Sequence, residues 1–179
     1  FLEMGLKKGD RVAFITHNSL PYIYAWLGLS KMGGIVAPLN FMLKGPEIDY
    51  IINHAEPKYF FVEDVLVPQV QEVAGKLKSV EKFGIIRIQE GSQVPEGWMD
   101  AAELYAPDRD ASEPEVEIDD EDVATLLYTS GTEARPKGVM NTHRNLYMTL
   151  MSGLADLNVV KQDVCLLSIP LYHVAAKFL

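Results

Sequence analysis

Apolar positions along the chain fall into short continuous runs, separated by stretches with a three-to-four-residue apolar rhythm. The first run, VAFIT at 12–16, comes after a Gly9-Asp10 turn and is β-branched and aromatic, which predicts a strand. Asn18 or Ser19 is placed to cap the next helix, with Pro21 tolerated in its first turn. Ile23, Trp26, Leu27 and Ser30 read as the buried face of that helix, and Gly33-Gly34 ends it. IVAPL at 35–39 is the next strand. The unit then repeats. Pro46 opens a helix with Ile48, Ile51, Ile52 and Ala55 on one side, Pro57 closes it, and YFFV at 59–62 is a strand. A helix over about 66–77 carries Val70, Val73, Ala74 and Leu77 and leads to a strand in FGIIRI at 83–88.

The second part of the chain is less regular. Residues 89–106 carry no clear period beyond one helical turn near 101–105. VATLLYT at 123–129 is the strongest strand pattern, and KGVMN at 137–141 is a short one. Thr142 or His143 caps a helix running to about 157 with Leu146, Leu150, Leu154 and Leu157, and VCLLSI at 164–169 is the last predicted strand. Continuous apolar strands alternating with helices require crossover connections. The expected fold is α/β, with a mainly parallel sheet sandwiched by helices. In such sheets ligands sit beyond the carboxyl ends of the strands, so chemistry is sought in the segment after each strand.

Composition narrows the class. With 179 residues, 48% hydrophobic and 23% charged, the chain is ordinary globular material, not collagen-like, low-complexity or disulfide-scaffolded. Its longest apolar stretch, at 164–176, is broken by Ser168, Pro170 and His173 and is too short for a membrane span. The net charge of −9 argues against binding nucleic acid. Most of that charge lies in 108–122, which holds nine acids and one arginine and reads as a solvated acidic linker. The chain is thereby divided into 1–107, a first α/β segment, and 123–179, a continuation of the same domain. One cysteine, Cys165, allows no intrachain disulfide and reads as a small buried apolar group; this and the lack of a basic, then apolar, leader fit a cytoplasmic protein. A chain that starts on Phe1 and stops on Leu179 is expected to be a piece of a longer one.

The strongest strand runs directly into TSGTEARPKG at 129–138. This loop holds three hydroxyls (Thr129, Ser130, Thr132), two glycines (Gly131, Gly138) and two cations (Arg135, Lys137). Glycine lets backbone N–H groups close on an oxygen cluster, hydroxyls donate further bonds, and lysine is a compact counter-charge. From composition alone, a polyphosphate site and a polar hairpin turn are equally good readings. The loop is not a Walker A motif, since Lys137 precedes Gly138 and Val139 comes next, and no G-x-G-x-x-G or G-x-S-x-G occurs. The four histidines are scattered without paired ligand spacing, which argues against a structural zinc site. His17 reads as a cap or surface residue, His54 as a helix-end cation, and His143 as a helix cap. Tyr22 and Trp26 read as core.

YTSGTEARPKGVMNTH at 128–143 resembles the signature of the adenylate-forming enzymes, the superfamily of acyl-CoA synthetases, adenylation domains and luciferases. Two more blocks agree in order and spacing: GDRVAFITHNSLPYIYAWLGLSKMGGIVAPLN at 9–40 and IPLYHV at 169–174. The GTE form of the loop and the P-L-Y-H block look most like fatty acyl-CoA ligases. The resemblance implies ATP- and magnesium-dependent joining of a carboxylic acid to AMP, with pyrophosphate release and then transfer to coenzyme A. Acceptors other than coenzyme A, and a non-catalytic protein that kept the fold, are the alternatives. It implies further that Thr129, Ser130, Gly131 and Thr132 wrap the β- and γ-phosphates, with Glu133 and Gly138 in the same loop. Lys137 would neutralise the departing pyrophosphate, and His173 would lie near the acyl group and α-phosphate. The usual Thr-Gly pair is Glu133-Ala134 here; if that alanine needs a positive φ it costs about 1 kcal/mol. The family's magnesium-binding glutamate, ribose-binding aspartate and C-terminal-domain lysine match nothing in this chain, so the chain alone is expected not to catalyse adenylation. A homodimer is compatible with the sequence.

Overall fold

The computed structural model describes residues 1–105, 112–129, 135–158, 160–164 and 166–173. In chain order the elements are β1 (Arg11–Ile15), α1 (Leu20–Lys31), β2 (Ile35–Leu39), α2 (Gly45–Ala55), β3 (Tyr59–Glu63), α3 (Val67–Ala74), β4 (Lys82–Ile86), β5 (Met99–Asp100), β6 (Val123–Thr129), β7 (Lys137–Thr142) and α4 (His143–Leu157). Short 3₁₀ turns at Asp64–Leu66 and Ala101–Tyr105 connect neighbours. The strands form one sheet in the order β5-β4-β3-β1-β2-β6-β7. Every pairing is parallel except β6 with β7, a hairpin whose register runs from Val123↔Thr142 to Thr129↔Lys137. The expected α/β architecture with a mainly parallel sheet is therefore present.

Side-chain alternation sorts the helices onto two faces. Ala13, Ile15, Ala37, Leu39, Phe60 and Val62 point to one face, where Ile48, Ile51 and Ile52 of α2 and Val70 and Val73 of α3 cover them. Val12, Phe14, Val36, Tyr59 and Phe61 point to the other, against Tyr22, Ala25 and Leu29 of α1. The crossover from β1 goes to β2 on one side and that from β3 goes to β4 on the other, so the strand order reverses between β1 and β3. In open parallel sheets such a reversal marks, at the carboxyl ends of the strands, the place where ligands bind.

Three local expectations need correction. The fully buried residues of α1 are Tyr22, Ala25 and Leu29; of the expected face, Ile23 and Trp26 are partly buried against the same core, whereas Leu27 is 52% exposed. The helix is apolar on nearly every side, so its period does not single out one stripe. The predicted strand at 164–169 is absent among the described residues, where Val164 and Leu166 are almost fully exposed. The described residues of this run pair with no strand of the sheet, and the Ile169 carbonyl accepts the Asn18 side-chain amide instead. Leu167 and Ile169 still turn inward against the α1-side core. A two-residue strand, β5, also adds to the sheet where only irregular chain was expected. Cys165 lies outside the described residues.

The described part of the acidic stretch is irregular chain held by cations. Lys8 pairs with Asp122 and donates to the Glu117 carbonyl, Lys31 pairs with Glu113, and Arg144 pairs with Asp120 and Glu121. Helix α4 is capped as expected: the Thr142 hydroxyl accepts the Asn145 N–H at 3.2 Å and the Asn145 side-chain oxygen accepts the Thr142 N–H at 3.1 Å. None of its residues is buried.

Candidate phosphate and acyl site at the carboxyl edge of the sheet

Strand β6 lies parallel to β2, so its last residues share one edge of the sheet with the ends of β1, β2 and β3. Thr129 closes β6 and stands directly opposite Lys137, the first residue of β7. These two expected site residues thus form the two posts of the hairpin from which the glycine-rich loop leaves. Lys137 is exposed. Ser130, Gly131, Thr132 and Glu133 lie outside the described residues. Gly138 faces Tyr128 across the hairpin, and a side chain there would meet Leu126 at 3.2 Å and the Tyr128 ring at 3.4 Å. Its small size therefore makes room for Tyr128.

Helix α2 braces both posts. Tyr50 and His54 lie one turn apart on it, with stacked rings 5.9 Å between centroids. The His54 Nδ1 is 2.7 Å from the Tyr128 hydroxyl, one residue before Thr129. The Tyr50 hydroxyl donates to the Pro136 carbonyl at 3.3 Å, one residue before Lys137, and Arg135 lies 5.7 Å over the Tyr50 ring. Burial, reinforced by Tyr50 nearby, pushes the Tyr128 phenol up to about 12, so its hydroxyl stays protonated at neutral pH. Sequence reasoning assigns His54 only a helix-end role, because its contact with Tyr128 spans 74 residues.

The remaining expected residue, His173, sits at the same edge. Its N–H donates to the Pro170 carbonyl at 2.9 Å, closing a turn over 170–173. Leu171 in that turn is buried against the α1-side core. The turn packs beside residues just past β1: the Asn18 side chain bonds the backbone of Ile169 and Leu171. Next to it, Glu63 at the end of β3 is only 4% exposed. Its carboxylate accepts the Thr16 hydroxyl at 3.0 Å and the His17 N–H at 2.6 Å, and lies 3.0 Å from the His17 Nδ1. The His17 ring stacks on Phe41 at 4.0 Å, and Phe41 meets the Tyr172 ring edge-on at 5.4 Å. The sequence pattern marks the residues after β1 only as caps or surface. The rule that ligands lie past strand ends is the signal that points to them.

One edge thus gathers a lysine, an arginine, a hydroxyl and the start of a glycine-rich loop, beside an aromatic and histidine wall. The donor set suits a polyanion. Among the described residues no group of three His, Cys, Asp or Glu side chains is placed to hold a metal ion. Among them, too, no helix is long and apolar enough to cross a membrane.

The model of the AMP-binding enzyme family matches residues 1–178. A long-chain-fatty-acid–CoA ligase of Thermus thermophilus is 32% identical over 175 residues, covering 97% of this chain and 31% of that protein. A medium-chain-fatty-acid–CoA ligase of Ectopseudomonas oleovorans is 30% identical over 179 residues, covering 97% and 32%. The chain therefore spans about a third of the length of the curated relatives it matches. Among solved structures, a long-chain-fatty-acid–CoA ligase from Archaeoglobus fulgidus superposes with a TM-score of 0.84 at 27% identity, over 98% of this chain and 33% of that one. ATP-bound MatB from Rhodopseudomonas palustris gives 0.81 at 28%, over 99% and 33%. A family match over residues 1–178, on a sheet with the β6–β7 hairpin and the histidine turn at one edge, establishes that the chain belongs to the AMP-binding, adenylate-forming enzyme family.

Proposed function

We propose that the whole protein activates a carboxylic acid of the fatty-acid class with ATP and then transfers the acyl group to coenzyme A. In the first step a carboxylate oxygen attacks the α-phosphorus, the bond to the β-phosphate oxygen breaks, and pyrophosphate leaves with the electron pair. In the second the thiolate sulfur of coenzyme A attacks the acyl carbon, the carbon–oxygen bond to AMP breaks, and AMP leaves. Both steps need positioned donors where negative charge develops. Thr129, Ser130, Gly131 and Thr132 hold the β- and γ-phosphates, with Glu133 and Gly138 completing the loop. Lys137 meets the charge that grows on pyrophosphate. His173 shapes the wall at the acyl group and α-phosphate.

The observation that carries this reading is the hairpin in which Thr129 stands opposite Lys137 at the carboxyl edge of a parallel sheet. The names of the relatives as fatty-acid–CoA ligases support the acid and the thiol. The chain spans about a third of those relatives, which supports the further reading that it does not complete the reaction alone. Product analysis tests the function. The whole protein with ATP, magnesium, palmitate and coenzyme A is expected to yield palmitoyl-CoA, AMP and pyrophosphate in equal amounts. Release of ADP and phosphate instead would overturn it.

A further inference from the structure

We infer that Asn18 is a positioning residue for His173, acting through the backbone of the turn at 169–173. The inference rests on the role proposed above for His173. The Asn18 Nδ2 donates to the Ile169 carbonyl at 2.9 Å, and the Leu171 N–H donates to the Asn18 Oδ1 at 2.7 Å. One amide thus offers a donor to the carbonyl of residue i and an acceptor to the N–H of residue i+2. The residue between them is Pro170, which has no N–H to satisfy. Its carbonyl instead accepts the His173 N–H, so the turn that carries His173 starts at the anchored residues.

Asn18 is available for this work because Ser19, not Asn18, occupies the cap position of α1. Neither bond is local: they join positions 151 and 153 residues apart. The surroundings fix the direction of the turn but do not replace the amide. Leu171 is buried below it, and Tyr172 rests on Phe41, which stacks on His17 just past β1, itself held by Glu63 at the end of β3. An aspartate in place of Asn18 keeps the shape and loses the donor, setting a carboxylate oxygen against the Ile169 carbonyl. Only an amide serves both partners.

The test is acid-dependent exchange of labelled pyrophosphate into ATP by the whole protein and by Asn18→Ala, Asn18→Asp, His173→Ala and the Asn18→Ala/His173→Ala pair. Asn18→Ala is expected to lower the maximal exchange rate about 10- to 100-fold with the KM for ATP unchanged, as a small misplacement near reacting atoms does. Asn18→Asp should do no better. In the His173→Ala background the Asn18 substitution should cost nothing further, because residues that act through one another are not additive. Hydrogen exchange supplies a readout apart from activity: in Asn18→Ala the Leu171 amide should exchange faster while those of β1 keep their protection. The inference is overturned by wild-type rates in Asn18→Ala or Asn18→Asp, by an equal loss in both backgrounds, by loss of protection throughout β1, or by an unchanged Leu171 amide. A wild-type protein with no exchange would overturn the proposed function itself, a result distinct from an active protein indifferent to Asn18.

Discussion

Lys137, proposed to meet the charge on pyrophosphate, and Asp64, just past β3, are two side chains at this edge. Lys137 begins β7 opposite Thr129, where it can meet charge leaving from the loop. Lys137→Ala is expected to lower pyrophosphate exchange about 10²- to 10³-fold, the usual cost of removing one donor aimed at developing charge. Near-wild-type exchange in that variant would take Lys137 out of the reaction. Asp64 has a structural task just past β3. Burial pushes its carboxyl up, but N–H donors of Gln89, Ile88 and Val65 at 2.9, 3.0 and 2.9 Å outweigh that and hold it below the ordinary carboxylate range. A lowered native value stabilises the fold above the unfolded pKa, and that stability is lost as pH falls through the native value. Asp64→Asn should therefore destabilise by about 1 kcal/mol near neutral pH, at the low end for bonds to a charge because the group is partly solvated. Urea melts should show the gap to wild type narrowing below about pH 4. A gap that stays constant to pH 3 would contradict the assignment. Of these two residues only Lys137 is singled out by the sequence, through its loop. Nothing local in the sequence ties Asp64 to residues 24 and 25 positions away.

At the scale of elements, legibility tracks amphipathicity. The period of α2 names its buried residues Ile48, Ile51, Ile52 and Ala55 without error, because the opposite face is polar. The all-round apolar α1 hides its face, and the run at 164–169 reads as a strand although no ladder forms among its described residues. Strand pairing is a tertiary event, and an apolar alternation alone does not supply the partner. The hairpin of β6 and β7 is visible in the sequence as two strands, but the brace from α2 is not. Close packing inside the sheet gives a further check. A Cβ on Gly84 in β4 would run into the Phe61 ring, which stacks on Phe14 at 5.3 Å. Gly84→Ala should cost about 1–3 kcal/mol by overpacking. Gly75, with nothing within 4 Å and a negative φ, is its control, and Gly75→Ala should be neutral or mildly stabilising. Equal melting temperatures for the two variants would contradict the packing described.

Among the described residues of the whole chain, the sheet is unevenly covered. Its β1–β4 half is sealed by helices on both faces, whereas α4 leaves Tyr147, Met148, Met151 and Leu157 exposed and β7 leaves Met140 exposed. These side chains belong to the hairpin proposed to hold phosphate and to the helix after it, in a chain that spans about a third of its relatives. This edge is proposed to belong to an enzyme that joins an acid to AMP. Acid-dependent exchange of labelled pyrophosphate into ATP measures that step alone, before any thiol is needed. With acetate, octanoate, palmitate and benzoate in parallel, the whole protein should exchange with the fatty acids and not without acid. A folded protein that exchanges with none of the four would contradict the account and favour a protein that kept the fold without the chemistry.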